Sequence, residues 1–185
     1  MSLTFITGNK NKFAEAKALL PDCVRVDIDV PEVQSLDPRE VILDKVARIA
    51  KGFDQPFFCE DVSLVIPSLN NFPGPLVKFA LQSLGTEGIV QLVQGKDPSA
   101  QAVCMIGYFD GVNAHIFEGV VSGSLVKPTG SSFGFDPIFL PNGFDKTFDQ
   151  MSLEEKNACS HRFHALMKLK HFLDSCSSSN RTLFT

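Results

Sequence analysis

The chain opens with a short apolar run, a glycine break and a helical pattern in immediate succession. Residues 3–7 are apolar or β-branched, which favours a buried strand, and residues 10–20 repeat apolar side chains at helical spacing. Between them, Thr7-Gly8-Asn9 forms a break that would direct free backbone N–H groups at an anion, with Lys10 and Lys12 adding positive charge. The P-loop spacing is absent, and Thr, Gly and Asn are also ordinary turn and cap residues. A phosphate site and a simple structural turn are therefore both open.

Strand and helix patterns continue along the rest of the sequence. Apolar or alternating runs predict strands at residues 24–28, 56–59, 101–109, 114–126 and 133–140. Apolar repeats at helical spacing predict helices at residues 38–52, 76–84, 86–93 and 152–173, the last opened by a capping-box pattern. No internal repeat or linker is present, and 185 residues fit one domain. We expect a single domain over residues 1–185, with a frayed tail from residue 175.

Charge and cysteine usage exclude several classes of protein. A net charge of −4 argues against a broad nucleic-acid-binding surface, which would require a basic face. The five cysteines are odd in number and widely spaced, which is typical of reduced thiols rather than of a disulfide framework or a zinc site. The first residues lack a signal-peptide pattern, and no apolar run reaches the roughly 18 residues of a membrane span. We expect a soluble, cytoplasmic protein with no nucleic-acid or membrane partner.

Paired acids follow one predicted strand. Glu60-Asp61 ends the apolar run at residues 56–59, and such a pair is costly to bury unless positive charge lies nearby. Mg²⁺ binds through one or two carboxylates together with substrate phosphates, so a metal site and a strand end turning into solvent are both open. Lys45 lies in the apolar repeat of its helix, where it either extends outward or reaches a buried anion. Lys78 lies near a helix start, where the dipole disfavours a cation, and so indicates a nearby anion.

The segment of residues 132–162 carries most of the remaining candidate chemistry. It contains Phe133-Gly134-Phe135-Asp136-Pro137, then Lys156-Asn157, then Ser160-His161-Arg162. Aromatic faces suit a nucleobase, and lysine and arginine suit phosphate or carbonyl oxygens. The alternative is a core strand, a Pro-Asn-Gly turn and an amphipathic helix. His161 and His164 are three residues apart without a third ligand, which argues against zinc.

Taken together, these motifs identify a resemblance. The sequence resembles the inosine triphosphate pyrophosphatase family over nearly the whole chain. The resemblance rests on five motifs in this order: Thr7-Gly8-Asn9-x-x-Lys12, Glu60-Asp61, Pro73-Gly74-Pro75-x-x-Lys78, the Phe133–Pro137 motif and Glu155-Lys156-Asn157-x-x-Ser160-His161-Arg162. The resemblance implies an α/β fold, an elongated two-lobed domain with a central mixed β-sheet flanked by helices and an active cleft between the lobes. It also implies Mg²⁺-dependent hydrolysis of ITP, dITP and XTP to the monophosphate and pyrophosphate, with Mn²⁺ as a substitute, usually by a homodimer.

The resemblance also implies a role for each matching position. The triphosphate would be cradled by Thr7, Gly8, Asn9, Lys10, Asn11 and Lys12. Its charge would be neutralised by Lys45, Lys78 and Lys156. Glu32 and Asp61 would hold the metal, and Asp61 would activate the attacking water as the catalytic residue. The base site would comprise Phe133 stacked on the purine, Gly134, Phe135 as an apolar wall, Asp136 orienting the base, and His161 with Arg162 at its 6-oxo edge.

Two positions depart from the family pattern. Phe135 stands where the family often has tryptophan, and Val62 follows the acids where it often has a small polar residue. The first removes an indole donor and bears on specificity, and the second removes a hydroxyl beside Asp61. Two other functions are consistent with the same pattern: a related-fold pyrophosphatase for modified pyrimidine nucleotides, and a nucleotide-binding module without turnover.

Overall fold

A mixed β-sheet forms the centre of the molecule. The structure, a computed structural model, describes residues 3–179, with side chains to residue 176. Its strands in the described chain are β1 (Thr4–Ile6), β2 (Val24–Val26), β3 (Phe57–Val65), β4 (Pro73–Gly74), β5 (Ser99–Phe109), β6 (Ala114–Leu125) and β7 (Phe139–Pro141). They lie in the order β2-β1-β3-β5-β6-β7, with β4 beside β3. Pairing is parallel from β2 to β3 and antiparallel beyond it, so the predicted mixed sheet is confirmed.

Helices cover both faces of this sheet. They are α1 (Lys10–Leu19), α2 (Pro38–Ala50), α3 (Val77–Leu92), α4 (Leu153–Cys159) and α5 (His161–Ser179). Asp37 caps α2 by accepting a hydrogen bond from the N–H of Arg39, and Pro38 occupies the first turn, where its missing N–H costs nothing. Gly85 interrupts α3 with a non-helical backbone, in agreement with the two helices predicted on either side of it.

Three clusters of apolar side chains hold these layers together. One packs α2 against the sheet around Ile42, Val46 and Phe57. A second packs α1 and α5 against the other face around Phe5, Phe58 and Leu166. The third joins α3, the far end of the sheet and residues 135–148.

The strand that carries the paired acids is longer than the sequence predicted. The run at residues 56–59 was expected to end at Glu60-Asp61, but β3 continues through both acids to Val65. The reason is that β5 pairs with β3 along its whole length, from Phe57 opposite Phe109 to Val65 opposite Gln101. The acids therefore lie in mid-strand, and the interpretation as a strand end turning into solvent is wrong.

The segment of residues 132–162 also differs from its prediction. Residues 133–140 were expected to form one strand, but Asp136–Ile138 is a 3₁₀ turn and only Phe139–Pro141 pairs as β7. Pro137 lacks a ladder donor and has a fixed φ, which favours the turn. The helix predicted at residues 152–173 is divided at Ser160, which has an extended backbone and caps α5 by accepting a hydrogen bond from the N–H of Phe163.

The C-terminal prediction is corrected in part. Residues 175–179 were expected to be a frayed tail, but they continue α5 to Ser179. The remaining residues of that predicted tail lie outside the described part of the chain.

Candidate active site

A cleft of about 860 Å³ brings together most of the predicted site residues. Those that line it are Thr7, Gly8, Asn9, Lys12, Glu32, Lys45, Asp61, Lys78, Phe133, Gly134, Phe135, Asp136, His161 and Arg162. Three predicted residues do not line it: Lys10, Asn11 and Lys156. Asn11 and Lys156 instead line a neighbouring cleft of about 640 Å³, which shares Phe133 and Asp136 with the first. The Phe133 loop thus separates two adjoining spaces.

The turn between β1 and α1 contributes a cation to the cleft, but its amides are partly occupied. The Asn9 side chain caps α1, its Oδ1 accepting hydrogen bonds from the N–H groups of Asn11 at 2.9 Å and Lys12 at 3.1 Å. The N–H of Asn9 in turn donates to the Thr7 hydroxyl at 3.1 Å. These three amides are therefore paired within the turn itself, and the predicted contact of this helix start with an anion stays a prediction. The Lys12 ammonium lies 3.1 Å from a Glu60 oxygen.

Glu60 is a buried carboxylate with strong cationic partners. The Arg162 guanidinium donates to it from Nε at 2.8 and 3.1 Å and from Nη2 at 2.9 Å, and Lys12 adds the contact just described. Burial raises the pKa of Glu60, but the positive charges of Arg162 and Lys12 outweigh it and hold that pKa well below its usual range. Glu60 is therefore ionised and fully engaged within the protein.

A second carboxylate, Glu15 on α1, extends this network and was missed by the sequence prediction. Its oxygens accept hydrogen bonds from Lys156 Nζ at 2.8 Å and from Arg162 Nη1. Lys156 also donates to Asp136. The chain of alternating charges thus runs from Asp136 through Lys156, Glu15 and Arg162 to Glu60 and ends at Lys12. No sequence pattern distinguished Glu15 from a surface glutamate of an amphipathic helix.

Asp61 differs from its neighbour because one of its oxygens is unsatisfied. Its Oδ2 is buried and has no hydrogen-bond partner within the described residues. Burial raises the pKa of Asp61 to about 6, although the ammonium groups of Lys12 and Lys45 oppose that shift. An unpartnered buried carboxylate oxygen that faces a cleft is suited to accept a proton or to bind a cation.

Lys45 and Glu32 form an ion pair beside Asp61. Lys45 Nζ donates to Glu32 Oε1 at 2.7 Å and to the Glu60 carbonyl at 3.3 Å. Burial raises the pKa of Glu32, but the charges of Lys45, Lys78 and Lys12 hold it below its ordinary value. Lys45 therefore points inward, and the alternative that it extends into solvent is wrong.

The donor set at Glu32 and Asp61 fits a hard divalent cation. Both groups offer carboxylate oxygens, and Asp61 has an orphaned one. The described residues contain no cluster of three or more potential ligand side chains, but Mg²⁺ needs only one or two carboxylates when substrate phosphates complete its coordination. Glu60, held by Arg162 and Lys12, is the less suitable ligand of the two adjacent acids.

The other end of the cleft is aromatic and centred on His161. Its ring is fully buried, with ring centroids 5.8 Å from Phe135 and 5.7 Å from Phe148. Neither ring nitrogen has a hydrogen-bond partner within the described residues. Burial and the nearby charges of Arg162 and Lys156 hold the pKa of His161 well below its ordinary value, so the ring is neutral. Phe148, which the sequence prediction did not include in the site, is one wall of this arrangement.

Over residues 3–179, no helix combines the length and the apolar character that crossing a bilayer requires.

Comparison with known proteins gives consistent matches over nearly the whole chain. The model of the Ham1 family matches residues 3–172. The inosine triphosphate pyrophosphatase of Schizosaccharomyces pombe is 42% identical over 181 residues, which cover 94% of this chain and 96% of that protein. The dITP/XTP pyrophosphatase of Thermococcus kodakarensis is 38% identical over 180 residues, which cover 94% of this chain and 97% of that protein. The structure of a HAM1 protein from Coxiella burnetii has a TM-score of 0.80 at 27% identity and covers 95% of this chain and 100% of that one.

Proposed function

The chain belongs to the Ham1 family, and we propose that it hydrolyses non-canonical purine nucleoside triphosphates such as ITP, dITP and XTP to the monophosphate and pyrophosphate. The observation that carries this proposal is one cleft lined by a carboxylate with an unpartnered oxygen, three lysines and a half-buried aromatic ring, namely Asp61, Lys12, Lys45, Lys78 and Phe133. Such a cleft offers positive charge for a triphosphate, a group that can accept a proton and a surface on which a base can stack.

The lysine-rich end of the cleft binds the triphosphate. Lys12, Lys45 and Lys78 all act on the pKa of Glu32, so their charges meet within one small volume. In phosphoryl-transfer reactions positioning and charge stabilisation do most of the work, and ammonium groups offset the charge on the transferred group and the leaving group. Thr7, Gly8 and Asn9 border the same space as the turn that carries Lys12. Lys10 and Asn11 do not line this cleft, and their predicted place at the triphosphate stays a prediction.

Glu32 and Asp61 would hold a divalent cation, which we propose to be Mg²⁺. When bound, such a cation neutralises phosphate oxygens and the charge that develops on pyrophosphate. The Glu32–Lys45 ion pair frees both partners when it opens, the carboxylate for a cation and the ammonium for a phosphate oxygen. The two carboxylates therefore serve the same triphosphate that the lysines bind.

Asp61 accepts the proton of the attacking water. A bond forms between the water oxygen and the α-phosphorus, the α–β anhydride bond breaks, and pyrophosphate leaves with the electron pair of that bond. In the metal-free protein burial raises the pKa of Asp61 to about 6, so the carboxylate is ionised at neutral pH and can accept a proton. The Asp61 carboxylate has two oxygens, so one would hold the cation while the other accepts this proton.

The aromatic end of the cleft selects the base. Phe133 stacks on the purine, and Phe135 and Gly134 form the wall beneath it. The neutral His161 ring donates one N–H to the 6-oxo group, and Arg162 adds the donors that Glu60 and Glu15 leave free. Adenine presents a donor at that position, so its binding would leave these buried donors unpaired, which is the type of mismatch that gives large discrimination. Asp136 and Lys156 fix this end through their mutual ion pair.

The domain organisation, the oligomeric state and the compartment are part of the same proposal. We propose that residues 1–185 form one domain that acts as a homodimer in the cytoplasm and cleanses the nucleotide pool. All five cysteines lie in the described part of the chain and are free thiols, which supports a reducing compartment.

A pyrophosphate-release assay tests the proposal. ITP, XTP, dITP, dUTP, GTP and ATP are compared at equal concentration with and without Mg²⁺. Faster release from the three 6-oxo non-canonical purines, dependent on Mg²⁺, is the expected result. Preferred hydrolysis of dUTP would favour a pyrimidine enzyme, and binding without any release would favour a nucleotide-binding module.

A further inference from the structure

Two glycines on neighbouring strands lie beneath the helices that carry cleft residues: Gly107 on β5 and Gly119 on β6. We propose that both are positioning residues for the reaction. Gly107 sets how deeply α2 sits on the sheet and so places Lys45, and Gly119 sets the depth of α5 and so places Arg162. This inference rests on the proposed function, since its readouts are the rate and the base selectivity of nucleotide hydrolysis.

Gly119 is in direct contact with the backbone of α5. A Cβ at this position would lie 2.0 Å from the carbonyl oxygen of His161 and 2.5 Å from the backbone nitrogen of Ala165. Both atoms belong to the first turns of the helix that begins at His161. Because backbone atoms cannot rotate away as a side chain can, any residue larger than glycine must move the helix or the strand.

The required movement is large compared with what the contacts at the aromatic end of the cleft can tolerate. Real Cβ atoms essentially never approach such atoms within 3.0 Å, so the separation must grow by about 1 Å. The Arg162 fork holds Glu60 through contacts of 2.8–3.1 Å, and His161 lies between two phenylalanine rings. A shift of 1 Å at this point would break the fork geometry and displace the unpaired His161 nitrogens from the base.

Gly107 is crowded by α2 on the other face of the sheet. A Cβ there would lie 2.3 Å from Cγ2 of Val46 and 3.1 Å from Cγ1 of Ile42. Val46 directly follows Lys45, whose ammonium lies 3.3 Å from the Glu60 carbonyl and 2.7 Å from Glu32. Lifting α2 would therefore withdraw Lys45 from the phosphate end. Unlike the contact at Gly119, this one is with side-chain atoms and can be relieved by trimming the side chain.

The two glycines act at different ends of the cleft. Gly119 touches the helix that carries His161 and Arg162, while Gly107 touches the helix that carries Lys45. A triphosphate is common to every substrate, whereas the 6-oxo edge is not. Displacing α2 should therefore slow all nucleotides alike, and displacing α5 should reduce the preference for ITP over ATP.

The test measures kcat and KM for ITP and ATP in Gly119→Ala, Gly107→Ala and a control. Gly52→Ala is the matched control, because a Cβ at Gly52 meets no atom within 4 Å. Gly119→Ala is expected to lower the ITP-to-ATP ratio of kcat/KM by about tenfold to a hundredfold, the scale of a 1 Å misplacement. Gly107→Ala is expected to lower kcat/KM for both nucleotides by a similar factor with the ratio unchanged. Gly52→Ala should equal the wild type.

Rescue separates positioning from general destabilisation. Adding Val46→Ala to Gly107→Ala removes the Cγ2 atom in question and should restore most of the lost turnover. If Gly119→Ala yields too little folded protein, Ala165→Ser replaces it. The Cβ of Ala165 lies 3.1 Å from the position that a Cβ at Gly119 would occupy. The one added atom should therefore give a smaller loss of the ITP-to-ATP ratio of kcat/KM.

Three results would overturn the inference while leaving the proposed function intact. The first is an active wild type together with variants in which only the melting temperature changes. The second is an ITP-to-ATP ratio of kcat/KM that is unchanged in the variants at Gly119 and Ala165. The third is a double variant at Gly107 and Val46 that folds without regaining turnover. A wild type that releases no pyrophosphate from any of the nucleotides would instead remove the proposed function.

Discussion

Glu60 and Asp61 are adjacent on β3, yet their carboxylates have opposite surroundings. Glu60 receives three hydrogen bonds from the Arg162 guanidinium and an ion pair from Lys12, whereas Asp61 keeps a buried oxygen without a partner in the described chain. Successive side chains of a strand point to opposite faces, so one residue faces the α5 side and the next faces α2. The first acid is built into the structure, and the second is left available for chemistry.

Asp61→Asn should remove turnover without harming the fold. The loss of a general base typically costs 10²–10⁴-fold, so pyrophosphate release from ITP should fall by about that factor while ITP binding persists. Burial already disfavours the charge of Asp61, so the melting temperature at pH 7.5 should be equal or higher. Steady-state kinetics, calorimetric binding and thermal melts measure the three quantities. Retained turnover would exclude Asp61 as the proton acceptor.

Glu60→Gln should have the reverse effect on stability. It leaves Arg162 buried beside a neutral amide, and removing one partner of a buried ion pair typically costs about 3–5 kcal/mol. Urea unfolding of the nucleotide-free protein measures this change. Asp44→Asn, which removes an exposed ion pair with Arg48, is the control and should cost far less stability than Glu60→Gln. Equal effects of the two substitutions would contradict the structural role of Glu60.

Phe133→Ala should raise the KM for ITP. Stacking of a base on an aromatic ring is worth roughly 1–3 kcal/mol, so the expected increase is about fivefold to a hundredfold. Phe144→Ala removes a ring that is 47% exposed and outside the cleft, and it should leave KM unchanged. The stacking role of Phe133 is refuted by a KM that stays at the wild-type value.

His161 should make the protein less stable at mildly acidic pH. Burial and nearby cations hold its folded pKa well below the unfolded value of about 6.5, so the unfolded chain binds more protons between those two pKa values. Stability from this residue is therefore fully present above pH 6.5 and is lost as pH falls below it, by up to about 1.4 kcal/mol per pH unit.

The comparison of wild type with His161→Phe isolates this contribution. Phenylalanine cannot titrate, and both ring nitrogens of the wild-type residue are unpaired, so the variant should unfold at a similar urea concentration at pH 7.5. Its advantage over the wild type should then grow between pH 6.5 and pH 5.5. Raised pKa values at Asp61 and Asp136 shift stability in the opposite sense but are common to both proteins. A constant difference across this range would show that His161 is not the titrating group.

Local patterns predicted much of the fold because they depend on neighbouring residues. The start of α2 at residue 38 and the capping box of α4 follow from short-range chemistry and were predicted correctly. The length of β3 was not predicted, since acids in mid-strand are tolerated only because Arg162 and Lys12, far along the chain, approach Glu60. A prediction from periodicity alone cannot include such partners.

The residues of the candidate site were likewise predicted only in part. Family motifs indicated residues that the fold then gathers in one cleft, but Glu15 and Phe148 lie outside those motifs and their partners are distant in sequence. Lys156 was assigned to phosphate, yet its ammonium is bound by Glu15 and Asp136 and lines the neighbouring cleft. The sequence shows that a lysine is present, whereas only the tertiary structure shows which acid it meets. Its proposed place is therefore at the base end.

The break at Ser160 fixes the length of the chain at that point. In one continuous helix, residues 156 and 162 would lie about 120° apart around the axis, so Lys156 and Arg162 would not both face Glu15. The extended residue between α4 and α5 turns both cations toward that one carboxylate. Joints between helices usually accept insertions and deletions, but a residue gained or lost here would rotate one cation away from Glu15. Among homologues, this joint should vary in composition before it varies in length.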